Sequence, residues 1–203
     1  MRLVTIGAGA QASPAYAPAG LLIVHGVHRV MLDGGLEAAP KCEIDAWLVS
    51  DARSELHADL RRRAFARGLS VGVGSFAGGG LVITPRPVAH TNHPTYGYWI
   101  EANGAKVVWA PEFFRFPRWA RGVDLMFGEA AGWDRPIRFR GGAGGHMAAL
   151  AVATAARRAH VRRLVFAHIG RPTLRAICRG QSPPFGEFAH DGEVFYLRRS
   201  LGR

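Results

Sequence analysis

Short apolar runs, separated by glycine and proline, constrain the fold of this chain more than any other feature. Runs of this length predict β-strands, and turn signals such as Gly34-Gly35 and Gly78-Gly79-Gly80 separate them. We predict strands at residues 3–6, 21–24, 30–32, 46–49, 71–73, 81–83, 96–101, 106–109, 125–127, 163–167 and 193–197.

Helical patterns are few and far apart along the chain. One helix is predicted at residues 55–67, where Leu56, Leu60 and Ala64 recur at helical spacing, and a second at residues 146–160. Because a block of strands comes first, the pattern favours a sandwich of sheets with helices on its outer faces over regular βαβ alternation. The length of 203 residues fits one domain with a full hydrophobic core.

A dinucleotide-binding fingerprint near the start of the chain is rejected. Residues 7–12 match the G-x-G-x-x-A pattern, but that motif works only when a helix begins at the glycines. Pro14 and Pro18 follow directly and exclude a regular helix interior.

The formal net charge of +11 raises the question of nucleic-acid binding, since clustered cations release counterions from phosphates. Lys41 and Lys106 are the sole lysines, and the arginines are scattered apart from short runs such as 61–63. We therefore favour a solvated basic surface, with nucleic acid as the less favoured partner.

Targeting signals are not evident in the sequence. No apolar run approaches the roughly 18 residues that a membrane span needs, and the first residues run directly into a predicted strand. Cys42 and Cys178 fit neither a disulfide framework nor a zinc knuckle. We expect a cytoplasmic protein without membrane partners, and the sequence leaves its oligomeric state open.

Four segments, in order along the chain, resemble the metallo-β-lactamase superfamily. They are the opening strands up to Gly35, residues 45–50, residues 88–112 and residues 145–169. The Gly-His-Met start of the fourth segment and its strand ending in His-Ile look similar to the cyclic-phosphodiesterase and quinone-cofactor-biosynthesis members. The resemblance implies a mixed α/β (α+β) fold, a four-layer αββα sandwich over residues 1–203, and metal-dependent hydrolysis.

The first metal motif of the family is rewritten in this chain. Its His-x-His-x-Asp-His pattern falls on Asp51, Arg53, Glu55 and Leu56, so no histidine remains there, and His57 is the nearest replacement. The surviving ligands are rich in oxygen, which favours Mn, Mg or Fe over Zn, and the Arg53 guanidinium can replace a cation. We therefore expect one divalent ion (Zn, Mn or Fe) rather than two, with a metal-free site as the alternative.

The resemblance implies a role for each remaining candidate. The implied metal ligands are Asp51, His90, Glu112, His168, His146 and His57. Glu55 would orient the attacking water, and Arg53 and Arg171 would clamp an anionic substrate.

The residues alone leave other interpretations open. Asp51 or Ser54 can cap the first predicted helix, and Glu112 can act as a helix-capping acid. His146 follows the glycine-rich residues 141–145, which can cradle an anion at the start of the second predicted helix. The favoured function is hydrolysis of a small anionic phosphoester or ester by metal-activated water. A non-catalytic relative that binds a small anion or a protein partner in the same cleft is the alternative, and a nuclease is less favoured.

Overall fold

The computed structural model describes residues 1–141 and 144–197, which form two large sheets and three α-helices. The strands are β1 (Arg2–Gly7), β2 (Gly20–His25), β3 (His28–Asp33), β4 (Ala46–Leu48), β5 (Val71–Gly72), β6 (Phe76–Gly78), β7 (Leu81–Val88), β8 (Thr95–Ala102), β9 (Ala105–Trp109), β10 (Leu125–Ala130), β11 (Ile137–Arg138), β12 (Gly145–His146), β13 (Leu164–Ile169), β14 (Glu187–Phe188) and β15 (Val194–Tyr196). The helices are α1 (His57–Phe65), α2 (Ala149–Arg158) and α3 (Arg171–Cys178), and a 3₁₀ turn spans Arg118–Ala120. None of the described helices is both long enough and apolar enough to cross a membrane.

Both sheets are mixed, with parallel strands on one side. The first sheet has the order β15-β1-β2-β3-β4-β5, in which β3, β4 and β5 are parallel. The second has the order β14-β13-β10-β9-β8-β7-β6, and its strands β9, β10, β13 and β14 are parallel. A separate hairpin pairs β11 with β12.

The side chains of β2 alternate between two hydrophobic clusters and so define the layers. Leu21 and Ile23 belong to the large core shared with the second sheet, whereas Leu22 packs with the residues beneath α1. Helix α2 packs its apolar face, including Val152, against the second sheet. Two sheets face to face with helices outside them confirm the predicted mixed α/β sandwich.

His146 does not open a helix, contrary to the sequence prediction. His146 lies in β12, because Gly144 and Gly145 adopt φ values of +140° and +147° and keep the chain in the hairpin. Helix α2 begins only at Ala149, whose N–H donates to the carbonyl of Gly132. The amide of Leu150 likewise donates to the carbonyl of Trp133, so these two amides are not free to bind an anion at the start of α2. The open alternative of an anion cradle at residues 141–145 includes residues 142 and 143, which lie outside the described residues.

The first predicted helix is shorter than expected, and several short elements were not predicted. Helix α1 starts at His57 after Leu56, and no side chain caps it, so neither Asp51 nor Ser54 has the capping role. The elements without a predicted counterpart are β6, β11, β12, β14 and α3. Each strand among them has only two or three residues, which is too short for an apolar period to be visible.

Candidate metal centre

An open cleft of about 690 Å³ lies at the carboxyl ends of the central strands. Both sheets contribute to it, because the parallel strands β3 and β4 of one sheet and β9, β10 and β13 of the other end at this edge. The predicted site residues that line it are Asp51, Arg53, Glu55, His90, Glu112, His146, His168 and Arg171.

Two histidines converge on one carboxylate in the second-sheet wall of this cleft. Nε2 of His90 lies 3.0 Å from Oε2 of Glu112, and Nε2 of His168 lies 3.1 Å from Oε1 of the same side chain. Glu112 is 31% exposed, whereas both histidines are buried. One carboxylate therefore contacts both rings at the cleft surface, with one oxygen directed to each ring.

A β-bulge places His168 in this position. The pairing of β10 with β13 shifts between Glu129–Ala167 and Ala130–Ile169, so His168 is the extra residue. Its φ is +59°, a left-handed conformation that is uncommon for a non-glycine residue. Bulges redirect side chains next to functional sites, and here the bulge turns His168 out of the strand pattern toward Glu112.

Glu129, which the sequence analysis did not single out, lies behind these ligands. Its Oε1 accepts hydrogen bonds from Ala131 N (2.8 Å) and His168 Nδ1 (3.2 Å). Its Oε2 accepts from Phe113 N (3.1 Å) and His146 Nδ1 (2.8 Å). Burial opposes ionisation of this fully buried side chain, but the charges and hydrogen bonds of His146 and His168 lower its pKa to about 2.

His168 is held between two carboxylates, and His90 between a carboxylate and a carbonyl. Burial favours the neutral ring of His168, but the charges of Glu112 and Glu129 raise its pKa to about 10. Nδ1 of His90 lies 2.9 Å from the carbonyl oxygen of Gly145, and Glu112 raises the pKa of His90 against the effect of burial. The two histidines in turn hold the pKa of Glu112 well below its usual range, despite burial. Each ring thus faces acceptors on both nitrogens, an arrangement that suits either an imidazolium or a cation in place of the Nε2 proton.

A second group of potential ligands shares His168. The ligand atoms of Glu129, His146 and His168 lie within 4.8 Å of one another. Both oxygens of Glu129 already accept two hydrogen bonds each, and this side chain does not line the cleft. Glu129 is therefore better placed to orient the two rings than to bind an ion with an open coordination position.

Among the described residues, the side chains of the rewritten first motif form no hydrogen bond or ion pair with His90, Glu112 or His168. Asp51 is paired with His93, whose Nε2 lies 3.0 and 2.9 Å from the two carboxylate oxygens, and it also accepts from the backbone N–H of Arg53. Arg53 and Glu55 are exposed at the cleft mouth. The His93 ring thus binds Asp51, another residue of the cleft lining.

His57 lies outside the cleft, although the sequence suggested it as a replacement ligand. It is the first residue of α1 and lines a separate surface depression together with Phe65 and Leu69. The preceding residue, Leu56, faces the cleft instead.

Asp33 supports the loop that carries Asp51. Its two carboxylate oxygens accept hydrogen bonds from Ser50 N (2.6 Å) and Trp109 Nε1 (2.6 Å). Burial raises the pKa of Asp33 to about 6, although both hydrogen bonds favour its ionised form. The side chain therefore connects the ends of β3 and β9 with the loop that follows β4.

The β11–β12 hairpin packs against the histidines of the cleft. The Phe139 ring packs edge-on against His90 and His146, with centroid distances of 5.3 Å in each case. A Cβ on Gly144 would collide with the carbonyl oxygen of His90, so glycine is needed for this close approach.

Glu129 had a signal in the sequence that was not used. It is the single charged residue in the apolar stretch of β10, and a charge in a buried strand needs partners. Phe139 and the Asp51–His93 pair had no comparable signal, because their contacts join residues that are far apart in the chain.

Residues 39–169 match the model of the β-lactamase superfamily domain, well over half of the chain. The chain belongs to this superfamily. No curated protein matches it. The predicted resemblance and the sandwich fold are thereby confirmed.

Solved structures with the same fold cover nearly the whole chain. The metallo-β-lactamase fold protein YhfI from Bacillus subtilis is 18% identical, with 96% of this chain and 99% of that chain covered and a TM-score of 0.74. A diphosphatase from the PhnP family is 17% identical, with 96% and 97% covered and a TM-score of 0.68. The Zn²⁺-bound PqqB from Methylobacterium extorquens is 14% identical, with 97% and 100% covered and a TM-score of 0.70.

Proposed function

We propose that this protein is a metal-dependent hydrolase of a small anionic phosphoester or ester, with one divalent ion held by His90, Glu112 and His168. The observation that carries the proposal is the convergence of two Nε2 atoms, 3.0 and 3.1 Å away, on the two oxygens of one partly exposed carboxylate.

The surrounding groups fit a metal centre. Two histidines and one glutamate make up a known ligand set of catalytic zinc sites that keep an open position, and the mixed nitrogen and oxygen ligands also suit Fe or Mn. Metal-binding histidines usually donate their second N–H to a carboxylate or carbonyl. His168 Nδ1 has Glu129 as this partner and His90 Nδ1 has the carbonyl of Gly145.

One ion fits these residues better than two. Asp51 already binds His93 and the Arg53 amide, and Leu56 offers no ligand atom. His146 directs Nδ1 to Glu129, so only its other nitrogen is available to the cleft, which it lines.

The proposed reaction uses the metal and the residues at the cleft mouth. A bound divalent ion supplies Lewis acidity and lowers the pKa of a water molecule at the site. Glu55 lines the cleft with an exposed carboxylate and is the candidate that orients the water. Arg53 and Arg171 are both exposed and both line the cleft, Arg53 in the loop after β4 and Arg171 at the start of α3. They are the candidates that bind the anionic group of the substrate. Relatives with this fold include a diphosphatase and a Zn²⁺-bound protein, which supports both parts of the proposal.

Elemental analysis of the purified, untagged protein tests the metal centre. We expect about one equivalent of Zn, Mn or Fe in the wild type, and its loss in His168→Ala. His190→Ala is the matched control, because His190 is exposed and lies outside the cleft. If neither the wild type nor the control holds metal after dialysis against Zn and Mn, the metal mechanism is refuted. If metal is present, hydrolysis of bis(p-nitrophenyl) phosphate is measured next.

A non-catalytic relative that binds a small anion is the second candidate function. The observation that favours it is the rewritten first motif, in which Asp51 is bound to His93 and Leu56 is apolar. Calorimetric titration with inorganic phosphate in the presence of a chelator separates the two candidates. Only a non-catalytic anion-binding protein should bind phosphate when no metal is present. Salt-dependent retention on DNA tests the less favoured nuclease.

A further inference from the structure

The two walls of the cleft differ in chemistry. The wall built by the second sheet carries the His90, Glu112 and His168 group. The side built by the first sheet and α1 carries a group of four apolar residues, here called the apolar wall, which are Pro18, Val49, Leu56 and Leu60. Polar residues, including Asp51, Arg53 and Glu55, line the same side of the cleft.

The apolar residues form one continuous surface. A Cβ on Gly35 would lie 2.9 Å from Cγ of Pro18 and 3.7 Å from Cδ1 of Leu56, so these two side chains flank the same glycine. Leu56 also packs on the hydrophobic cluster beneath α1, to which Val49 and Leu60 belong. Leu56 is half-buried, whereas Leu60 and Val49 are almost fully buried, so the surface is fixed by the core behind it.

Two carboxylates next to this wall are already engaged, whereas Arg53 and Glu55 are exposed at the cleft mouth and the Ser13 hydroxyl is buried without a partner among the described residues. Asp33 accepts from Ser50 N and Trp109 Nε1, and Asp51 is bound to His93. A polar group of a ligand placed directly against Pro18 and Leu56 would lose water without gaining a partner from these side chains, which is costly. An apolar group would instead gain from burial.

The size of the cleft leaves room for such a group. About 690 Å³ is typical of sites for organic ligands, which are mostly apolar with a few convergent polar groups. A phosphate or carboxylate at the His90 and His168 end would occupy a small part of this volume. The β11–β12 hairpin adds further apolar surface through Ile137 and Phe139.

We propose that the apolar wall is a subsite for an aryl or branched alkyl group that is attached to the anionic group of the substrate. The proposal rests on the proposed function in placing the anionic group at His90, Glu112 and His168. Substrates without an apolar substituent are then poor ligands, because only one of the two walls is used.

Binding of two non-hydrolysable anions tests the subsite. Phenylphosphonate and methylphosphonate share the anionic group and differ in the apolar one, and calorimetry measures their affinities for the full chain dialysed against Zn²⁺. We expect phenylphosphonate to bind about tenfold tighter, which corresponds to burial of roughly half a phenyl ring. In Leu56→Asn we expect the ratio of the two affinities to fall to between about one and about three. The affinity for methylphosphonate should stay within about twofold of the wild-type value.

The variants are chosen to keep the fold. Asparagine has nearly the shape of leucine and is favoured at the N-cap position that Leu56 occupies. Leu56→Ala, which shortens the wall but leaves it apolar, should lose part of the discrimination. Phe65→Ser is the matched control, because it removes an apolar side chain of α1 that is 82% exposed and outside the cleft, and it should keep the wild-type ratio.

Equal affinities of the two phosphonates for the wild type, or an unchanged ratio in Leu56→Asn, would overturn the subsite, as would failure of both to bind below millimolar concentration. Failure of the hydrolase proposal alone would give different results in these experiments. The protein would then lack metal or turnover, yet still prefer phenylphosphonate in a Leu56-dependent manner.

Discussion

Replacing Glu129 with glutamine removes a fully buried negative charge while keeping the shape of the side chain. Four groups, two backbone amides and Nδ1 of His146 and His168, donate hydrogen bonds to its oxygens. A glutamine offers one acceptor oxygen and one donating NH₂ group. Whichever way it is oriented, its NH₂ group faces two donors.

The size of the effect follows from the pKa of Glu129. That pKa is about 2 in the folded protein, against an ordinary value of 4.5. At 1.36 kcal/mol per pKa unit, the ionised side chain stabilises the fold by about 3 kcal/mol at neutral pH. Because the pKa is lowered on folding, this stabilisation is fully present above the ordinary value and is lost as the pH falls toward 2.

Urea unfolding of metal-free protein, with a chelator present, measures the effect. We expect Glu129→Gln to lower the free energy of unfolding by about 3 kcal/mol at pH 7, and the difference from the wild type to shrink below about pH 4. Glu187→Gln is the matched control, since Glu187 is 49% exposed in its pair with Arg163 and should cost less than about 1 kcal/mol. A Glu129→Gln protein within about 1 kcal/mol of the wild type at pH 7 would refute the proposed role of this charge.

Three further predictions follow from the same contacts. Loading metal-free protein with Zn²⁺ at pH 7 should release protons, because the pKa of His168 is about 10. The affinity for Zn²⁺ should rise about tenfold per pH unit for each proton displaced. Metal uptake without proton release in a weakly buffered titration would contradict this. Gly144→Ala should lower the free energy of unfolding by about 2 kcal/mol or more, since an added Cβ collides with a carbonyl oxygen at positive φ. Gly122→Ala, at positive φ in open space, is its control and should cost less in the same urea titration. Trp109→Phe removes a hydrogen bond to Asp33 and should raise its pKa above about 6. The free energy of unfolding of this variant should then fall more steeply than that of the wild type as the pH rises from about 4 to 7. The same pH dependence for both proteins in urea titrations would contradict this prediction.

Local sequence signals located most of the longer strands correctly. Residues 21–24, 30–32 and 106–109 were predicted as strands and lie within β2, β3 and β9. Apolar runs bounded by glycine are visible within a few residues, and the order of the motifs was sufficient to indicate the superfamily. The helix at 146–160 was placed three residues too early, because the glycines that bend the chain there also permit a helix start.

The candidate site was only partly visible in the sequence. His90, Glu112 and His168 were singled out, and the structure brings them together at the cleft, where their role as metal ligands stays a proposal. The sequence could not show that Asp51 would bind His93. That pairing depends on two loops from different sheets meeting at one edge.

The sequence by itself determined the strands, the sandwich and the family, because these follow from apolar periodicity and from motifs read in chain order. The tertiary structure decided which polar groups are free. Buried charges must find partners, and only the folded packing shows that Glu129 serves two histidines, that His57 faces away and that Leu56 makes one wall of the cleft apolar.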